Sequence, residues 1–409
     1  MPAAGRLAVA AFLLVTACAP ASGPNDNSPA PQDLSGQAAA IRRIVDDAVA
    51  TSHLNAAIVR VTIDGREVLT DAVGESMTGE PATPDMHFRN GAVAISYVST
   101  LLLLLARDGT VGLDDRLSRW LPDVPHADRV TLRQLAHMTS GYVDYVLGNT
   151  AMNDAMYADP FRAWTTDELL AFAVDKPLLY EPGTNWNYAH TNYVLLGLAL
   201  EKATGRPMSD LLAERVLQPL GLTDTVASES AAIPSPVLHA FTSERRAALG
   251  IPPKQPFYEE STFWNPSWTI THGAIQTTNI DDLEATAAGI GSGRLLDPES
   301  YRMMVSTDLR GRTRSQPGCS TCAPMTEGYT YGLGIVISGD WLLQNPMFSG
   351  YAAVAAYLPA RKIAIAVATT FAPAAFSADG DYTNAAEALF RSIGAELAPE
   401  DAPPTPPPR

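Results

Sequence analysis

The chain is poor in positive charge. Lysine and arginine together number 28, against 44 aspartate and glutamate residues, and the formal net charge is −16. A protein that binds nucleic acid neutralises phosphates with clustered lysines and arginines, so this balance argues against a nucleic-acid partner. Lysine is especially scarce, and its four positions are Lys176, Lys202, Lys254 and Lys362.

The apolar run at the N-terminus is too short to span a bilayer. It covers residues 7–15 and is followed by small residues and Cys18, which resembles a bacterial lipoprotein signal with Cys18 as the lipidated residue. We therefore predict a lipoprotein signal peptide at residues 1–18 and a flexible, proline- and serine-rich tether at residues 19–33. The exported protein would be membrane-anchored by its lipid on the extracytoplasmic side of the bacterial cell envelope. The alternative is an ordinary secretory signal with an incidental cysteine.

Cysteine is rare as well, with three residues in the whole chain. Outside the cytoplasm, the pair Cys319 and Cys322 is most simply a small disulfide that fixes a loop. A redox or metal role is the weaker alternative, because two cysteines do not complete a tetrahedral zinc site. We predict no metal site and no cofactor.

Patterns of apolar residues predict strands near both chain ends and helices between them. The predicted helices cover residues 37–51, 92–106, 166–174, 193–203 and 384–397, and the predicted strands cover residues 57–63, 67–71, 352–358 and 363–369. This order predicts an α/β (α+β) fold: one antiparallel sheet from both chain ends, flanked by helices, with an inserted, mostly helical subdomain. We place one domain at residues 34–397 and a disordered proline-rich tail at residues 398–409.

Several stretches resemble one family in order and spacing. They include Phe88–Gly91, Leu113–Asp115, Thr131–Leu135, Thr139–Gly141, Pro182–Tyr188, Asn192–Gly197, Gln218–Thr223, Asn265–Trp268, Tyr331–Gly334 and Tyr357–Pro359. The resemblance is to the serine β-lactamases and penicillin-binding proteins, above all to D-alanyl-D-alanine carboxypeptidases and class C β-lactamases. It covers residues 40 to 395 and implies the β-lactamase/transpeptidase-like fold.

The resemblance implies three clusters that face one cleft. A Ser-x-x-Lys pair at the start of a helix supplies the nucleophile and its base, and the family pattern places that pair at Ala92 and Ile95. Neither side chain can do this chemistry. The distance onward to Asp114 and Asp115 matches the family without a gap, so a shifted alignment does not restore the pair.

The other two clusters are altered too. The family's Tyr-x-Asn element falls on Tyr188 and His190, with histidine in place of asparagine. The third element, a cation followed two residues later by glycine, falls on Gln344, Asn345 and Pro346, so the substrate carboxylate would lose its charged partner. By the same resemblance, the backbone at Ala92 and Met347 would hold a carbonyl oxygen. We therefore predict Gln344, Asn345 and Met347 as ligand-binding residues.

Few residues are available to replace the missing pair. Ser96 and Ser99 lie on the same helix face as Ala92, but hydroxyls in a helix usually bond back to its backbone. None of the four lysines lies near a motif. Tyr188 and His190 are the candidate acid/base pair, since histidine titrates near neutral pH; the alternative is a hydrogen-bonded histidine without chemistry.

Three functional hypotheses follow. The leading one is a catalytically impaired pseudoenzyme that binds a peptidoglycan peptide, a small amide or ester, or an envelope protein. The second is an active hydrolase or acyl-transfer enzyme with rewired chemistry at Tyr188 and His190. The third is a purely structural lipoprotein with a collapsed pocket.

Overall fold

The structure is a computed structural model that describes residues 34–228, 230–253, 255–269 and 275–406. The signal peptide, the tether and the lipidated Cys18 predicted for residues 1–33 lie outside the described residues. From residue 34 onward the chain forms one compact unit. No helix in the described part is long and apolar enough to cross a membrane.

One large antiparallel sheet joins the two ends of the chain, as the sequence patterns predicted. Its strands are β1 (Leu54–Ile63), β2 (Arg66–Met77), β3 (Glu80–Pro81), β9 (Thr330–Tyr331), β10 (Val336–Ser338), β11 (Trp341–Gln344), β12 (Met347–Phe348), β13 (Tyr351–Leu358) and β14 (Ile363–Phe371). They lie in the order β3-β2-β1-β14-β13-β11-β10-β9, and β12 pairs with β13. The first hairpin therefore joins the C-terminal strands through the β1–β14 pair, with Ile58 opposite Ala368.

Five short strands form two smaller sheets besides the large one. They are β4 (Phe88–Arg89), β5 (Val226–Ala227), β6 (Phe241–Thr242), β7 (Glu259–Glu260) and β8 (Gln276–Thr278). Strand β8 lies between β4 and β5, while β6 pairs with β7. The β4–β8 pair fixes the chain just before the position where the resemblance places the nucleophile.

Eleven helices surround and connect these strands in the described part of the chain. They are α1 (Leu34–Thr51), α2 (Val93–Arg107), α3 (Leu132–Ala136), α4 (Thr150–Ala158), α5 (Thr166–Leu170), α6 (His190–Thr204), α7 (Met208–Leu212), α8 (Gln218–Leu220), α9 (Ile280–Gly291), α10 (Pro298–Met304) and α11 (Ala385–Leu397). Helix α6 begins three residues before the predicted position, and α5 ends four residues before its predicted end.

Helices cover both faces of the large sheet. On one face, α11 brings Gly394 and Phe390 against Trp341 of β11. On the other face, Gly291 of α9 lies against Tyr357. Tyr357 is paired with Leu342, so the two side chains point to the same face, and Leu342 is next to Trp341 in β11. Adjacent residues of a strand point to opposite faces, so the two helices sandwich the sheet. Every residue of β13 and β14 is buried as a result.

Helix α2 is the centre of the helical region. Thirteen of its fifteen residues are buried, from Val93 to Leu105, which explains why its sequence is apolar all round and lacks amphipathic spacing. It packs against α6, α7 and α10. A buried helix of this kind holds its first turn rigidly, and that turn is where the candidate site begins.

The C-terminal segment corrects one sequence prediction. Residues 398–406, expected to be disordered, pack against the large sheet and α11. The Trp341 indole donates to the Asp401 carbonyl at 2.7 Å, Arg361 pairs with the Asp401 carboxylate at 2.7 Å, and Arg391 donates to the Pro404 carbonyl. Proline richness removes backbone donors but leaves the carbonyls, and here the side chains of the folded domain bind them.

Candidate functional site

The start of α2 has alanine and isoleucine where the resemblance places the nucleophile and its base. Ala92 caps the helix without any side-chain bond, and Ile95, one turn further, is 1% exposed. The nearby hydroxyls are already bonded: Ser96 donates to the Val93 carbonyl at 2.6 Å, and Ser99 shares a 2.7 Å hydrogen bond with the Tyr193 hydroxyl. Ser96 lines a cavity of only about 10 Å³ and Ser99 is fully buried, so neither hydroxyl is placed as a replacement nucleophile would be.

The space beside the first turn is filled by the third cluster. Gly91 has a φ of +52°, and a Cβ placed on it would lie 2.6 Å from the Phe348 ring and 2.8 Å from Cβ of Pro346. These distances are well inside van der Waals contact, so proline and phenylalanine lie directly against the turn. The first and third clusters meet here as the resemblance predicted, but they meet through apolar packing.

Two of the three predicted ligand-binding residues point elsewhere. Gln344 is 5% exposed, and its amide donates to the Gly334 carbonyl at 2.7 Å. Asn345 donates to Glu387 of α11 at 2.8 Å. A buried amide without a partner costs free energy, so each side chain is fixed where it finds one. Each amide therefore has a partner within the chain, and Met347, which is 40% exposed, is the most exposed of the three. Ligand binding by these residues stays a prediction.

His190 is the first residue of α6 and Tyr188 lies two residues before it, whereas the sequence pattern predicted the helix only from residue 193. His190 has a partner that the sequence had not indicated. Its Nδ1 lies 3.1 Å from both carboxylate oxygens of Asp144, and its backbone N–H donates to the same carboxylate at 3.0 Å. The backbone N–H groups of Val146 and Leu147 also donate to Asp144. Four donors therefore hold a carboxylate that is 2% exposed.

A weak sequence signal for Asp144 existed. It follows the Thr139–Gly141 element by three residues and is the single acidic residue in the apolar run Tyr142–Val146. A charged side chain in such a run is almost never fully buried unless it is paired. The run therefore indicates a buried partner, but it does not identify His190, which is 46 residues away in the sequence.

Aromatic rings enclose His190. The ring centres of Tyr188, Tyr145 and Trp268 lie 5.3, 5.7 and 6.2 Å from its own. Trp268 in turn packs edge-on against Phe348 at 6.1 Å, which links the second cluster to the third. Burial raises the pKa of Tyr145 well above its ordinary value, so the hydroxyl stays protonated and donates to the Trp268 carbonyl.

The cavity beside these rings is small. Trp268, Phe348, Ser349 and their neighbours line a volume of about 10 Å³, which is about the space of one water molecule. Ala92, Tyr188 and His190 do not line this cavity. The site itself holds an imidazole that a buried carboxylate orients among aromatic side chains. The described residues bring no group of three or more His, Cys, Asp or Glu side chains together as a metal centre would require.

The predicted disulfide between Cys319 and Cys322 is present, and it lies close to the site. Cys322 forms an isolated antiparallel bridge with Asn187, the residue before Tyr188. Asn185 adds two hydrogen bonds to the backbone of Arg314, of 3.1 and 2.9 Å. The disulfide loop thus supports the segment that leads into the second cluster.

Comparison with known proteins gives the same family. The family model described as Beta-lactamase matches residues 41–390. Penicillin-binding protein 4 of Amycolatopsis lactamdurans is 28% identical over 306 residues, which cover 72% of this chain and 74% of that protein. The match to penicillin-binding protein 4* of Bacillus subtilis, at 29% identity, covers 36% of this chain and only 31% of that protein.

Solved structures agree on the fold. The D-amino acid amidase from Ochrobactrum anthropi SV3, complexed with L-phenylalanine amide, superposes with a TM-score of 0.72 at 25% identity and covers 90% of this chain and 99% of its own. The fold and the family match together cover the large sheet, the helical region and the three clusters. The chain belongs to the beta-lactamase family, with the serine β-lactamase and penicillin-binding-protein type of fold.

Proposed function

We propose that this chain is a pseudoenzyme of the family, exported and lipid-tethered, which binds a cell-envelope ligand or partner without forming an acyl-enzyme. The observation that carries the proposal is the packing at Gly91: Pro346 and Phe348 lie directly against this residue, which precedes the Ala92 position where the family has its nucleophile. Loss of a catalytic serine typically removes about a million-fold of rate in serine hydrolases. Here the base position also holds an aliphatic side chain, Ile95.

The third cluster supports the same proposal. A family substrate places its carboxylate on a cation beside the cleft, but Gln344 is neutral and its amide is already bonded to Gly334. The ligand we propose is therefore an uncharged carbonyl compound, such as an amide or ester of a peptidoglycan peptide, or an envelope protein that contacts the surface around Met347. A carbonyl group can still bind backbone N–H groups, because these need no side chain.

Covalent labelling tests the proposal. The protein beginning at Ala19 is incubated with a fluorescent penicillin, and its mass is compared with that of an active penicillin-binding protein treated identically. We expect no adduct. We also expect none in the double variant Ala92→Ser with Ile95→Lys, because Pro346 and Phe348 still fill the site. Robust acylation of either protein would refute the claim that the whole pocket is remodelled.

A second candidate function rests on the Asp144–His190 pair. With Nδ1 fixed by the carboxylate at 3.1 Å, the second ring nitrogen, Nε2, is the one that could take a proton from water, and Tyr188 could donate one to a leaving group. Water would then attack a carbonyl directly, without a covalent intermediate. This candidate predicts nitrophenyl-ester turnover.

The two candidates are separated by ester hydrolysis in three proteins. Turnover by the unmodified protein that falls by at least tenfold in both Tyr188→Phe and Asp144→Asn would establish the rewired enzyme. No turnover above buffer in any of the three would favour the pseudoenzyme. Thermal melts of each variant serve as the control for correct folding.

A further inference from the structure

An open groove lies outside the family cleft. It has a volume of about 430 Å³ and is formed by α3, α10 and the segment that follows α10. Its lining includes Arg133, His137, Glu299, Arg302 and Asp308. The volume lies within the range of small-molecule sites, about 300–1,000 Å³.

The positive side of the groove has one charge that is not neutralised by the protein. Arg133 makes two parallel bonds to Asp114, of 2.9 and 3.0 Å, so its charge is largely matched. Arg302 donates from Nε to the Pro298 carbonyl at 3.1 Å. No carboxylate of the described residues forms an ion pair with Arg302, so both terminal nitrogens of its guanidinium remain able to bind an anion.

The negative side is likewise not neutralised. Asp308 accepts from the Ser306 hydroxyl at 3.0 Å and is 51% exposed. Its nearest base, His137, lies 3.7 Å away, but that ring already donates to the Tyr331 carbonyl at 3.0 Å. Burial lowers the pKa of His137, so the ring supplies little positive charge to Asp308. Arg133 is the other cation near Asp308, and its guanidinium is already paired with Asp114.

Glu299 adds a second negative charge beside Arg302. The two residues are three positions apart on α10, so their side chains share one helix face. They nevertheless form no ion pair with each other in the described structure. The groove thus presents separated charges of both signs, with the thioether of Met303 and the side chain of Leu333 as an apolar portion of its wall.

We propose that this groove is a binding site for a zwitterionic amino-acid or peptide ligand. The ligand carboxylate meets the guanidinium of Arg302, and the ammonium meets Glu299 and Asp308. Both charges of the ligand are needed, because the groove carries both. The proposal does not depend on the state of the family cleft, since the two places share no lining residue.

Binding of the dipeptide alanyl-alanine, followed by NMR titration of the protein, tests the proposal. The N-acetylated dipeptide lacks the ammonium, and the C-terminally amidated dipeptide lacks the carboxylate. We expect each to bind at least tenfold more weakly than the zwitterion. Glu299→Gln should weaken binding of the zwitterion and leave binding of the acetylated dipeptide unchanged. Arg302→Gln should also weaken binding of the zwitterion, and it should leave binding of the amidated dipeptide unchanged.

Arg294→Gln is the matched control, because Arg294 is exposed and does not line the groove. Absence of zwitterion binding at millimolar concentration would overturn the proposal, as would equal binding of all three ligands. Binding that is lost in Tyr188→Phe but kept in Arg302→Gln would place the ligand in the cleft and would also refute the groove. Penicillin labelling reports on the cleft alone, so the two proposals can fail separately.

Discussion

The substitution Gly91→Ala probes how tightly the cleft is filled. Gly91 precedes Ala92 and has a φ of +52°, in the left-handed region that non-glycine residues rarely adopt. Its added Cβ would lie 2.6 Å from the Phe348 ring and 2.8 Å from Cβ of Pro346. The substitution should therefore lower the free energy of unfolding for two reasons, backbone strain and overpacking. The two contributions can be measured separately.

A matched glycine isolates the backbone cost. Gly205, at the end of α6, has a φ of +69°, and a Cβ placed there meets no atom within 4 Å. We expect Gly205→Ala to lower the free energy of unfolding by about 1 kcal/mol, the cost of a left-handed alanine. Gly91→Ala adds an overpacking cost of about 1–3 kcal/mol, so its total is about 2–4 kcal/mol.

Urea unfolding of four proteins measures the packing contribution. These are the unmodified protein, Gly91→Ala, Phe348→Ala and the double variant. Removing the Phe348 ring should recover about 1 kcal/mol of the free energy of unfolding lost in Gly91→Ala, because the effects of substitutions at residues in contact do not simply add. Recovery stays partial because Pro346 remains. If Gly91→Ala costs no more than Gly205→Ala, or if the double variant shows no coupling, the cleft is not filled as described.

Three further outcomes are expected. Burial raises the pKa of Glu244 to about 7 from an ordinary value of 4.5. The stability that the protonated carboxyl contributes is therefore fully present below pH 4.5 and is lost as the pH rises through about 7. Urea unfolding across this range should show a pH dependence of at most about 3 kcal/mol, which Glu244→Gln should lack. Replacing Cys319 and Cys322 by serine should cost about 2 kcal/mol by the loop-closure estimate, seen as a lower melting temperature that a reductant reproduces in the unmodified protein. Asp144→Ala leaves three backbone N–H groups without their acceptor, including that of His190. It should lower the free energy of unfolding by about 3 kcal/mol in urea, and Asp144→Asn should lower it by less. Equal losses in the two variants would contradict the role of the carboxylate.

Much of the fold could be predicted because its signals are local. The Asp64–Gly65 turn between two alternating runs predicts the first hairpin, and the structure has β1 and β2 there. The continuous apolar run after Ala92 predicts a buried helix, and α2 is buried on all sides. These patterns depend on residues a few positions apart, for which the chain's own geometry decides the outcome.

The candidate site could be predicted only in part. The resemblance aligns Ala92 and Ile95 with the family's nucleophile and base, and it aligns Tyr188 and His190 with one motif. The direction of Gln344 and Asn345 did not follow, because each amide turned to a partner on a distant segment. Whether a polar side chain faces a cleft or the interior depends on which acceptor comes within hydrogen-bond distance.

By itself, then, the sequence indicated the family, the sheet built from both chain ends and the alanine and isoleucine at the positions where the resemblance places the nucleophile and its base. Only the tertiary structure decided that Asp144 holds His190, that Phe348 and Pro346 fill the space beside Gly91, and that residues 398–406 pack on the sheet. The physical reason is the separation along the sequence of the residues that interact. Helix and strand patterns repeat over a few residues, whereas a buried charge or a filled cleft depends on segments that meet only after the chain has folded.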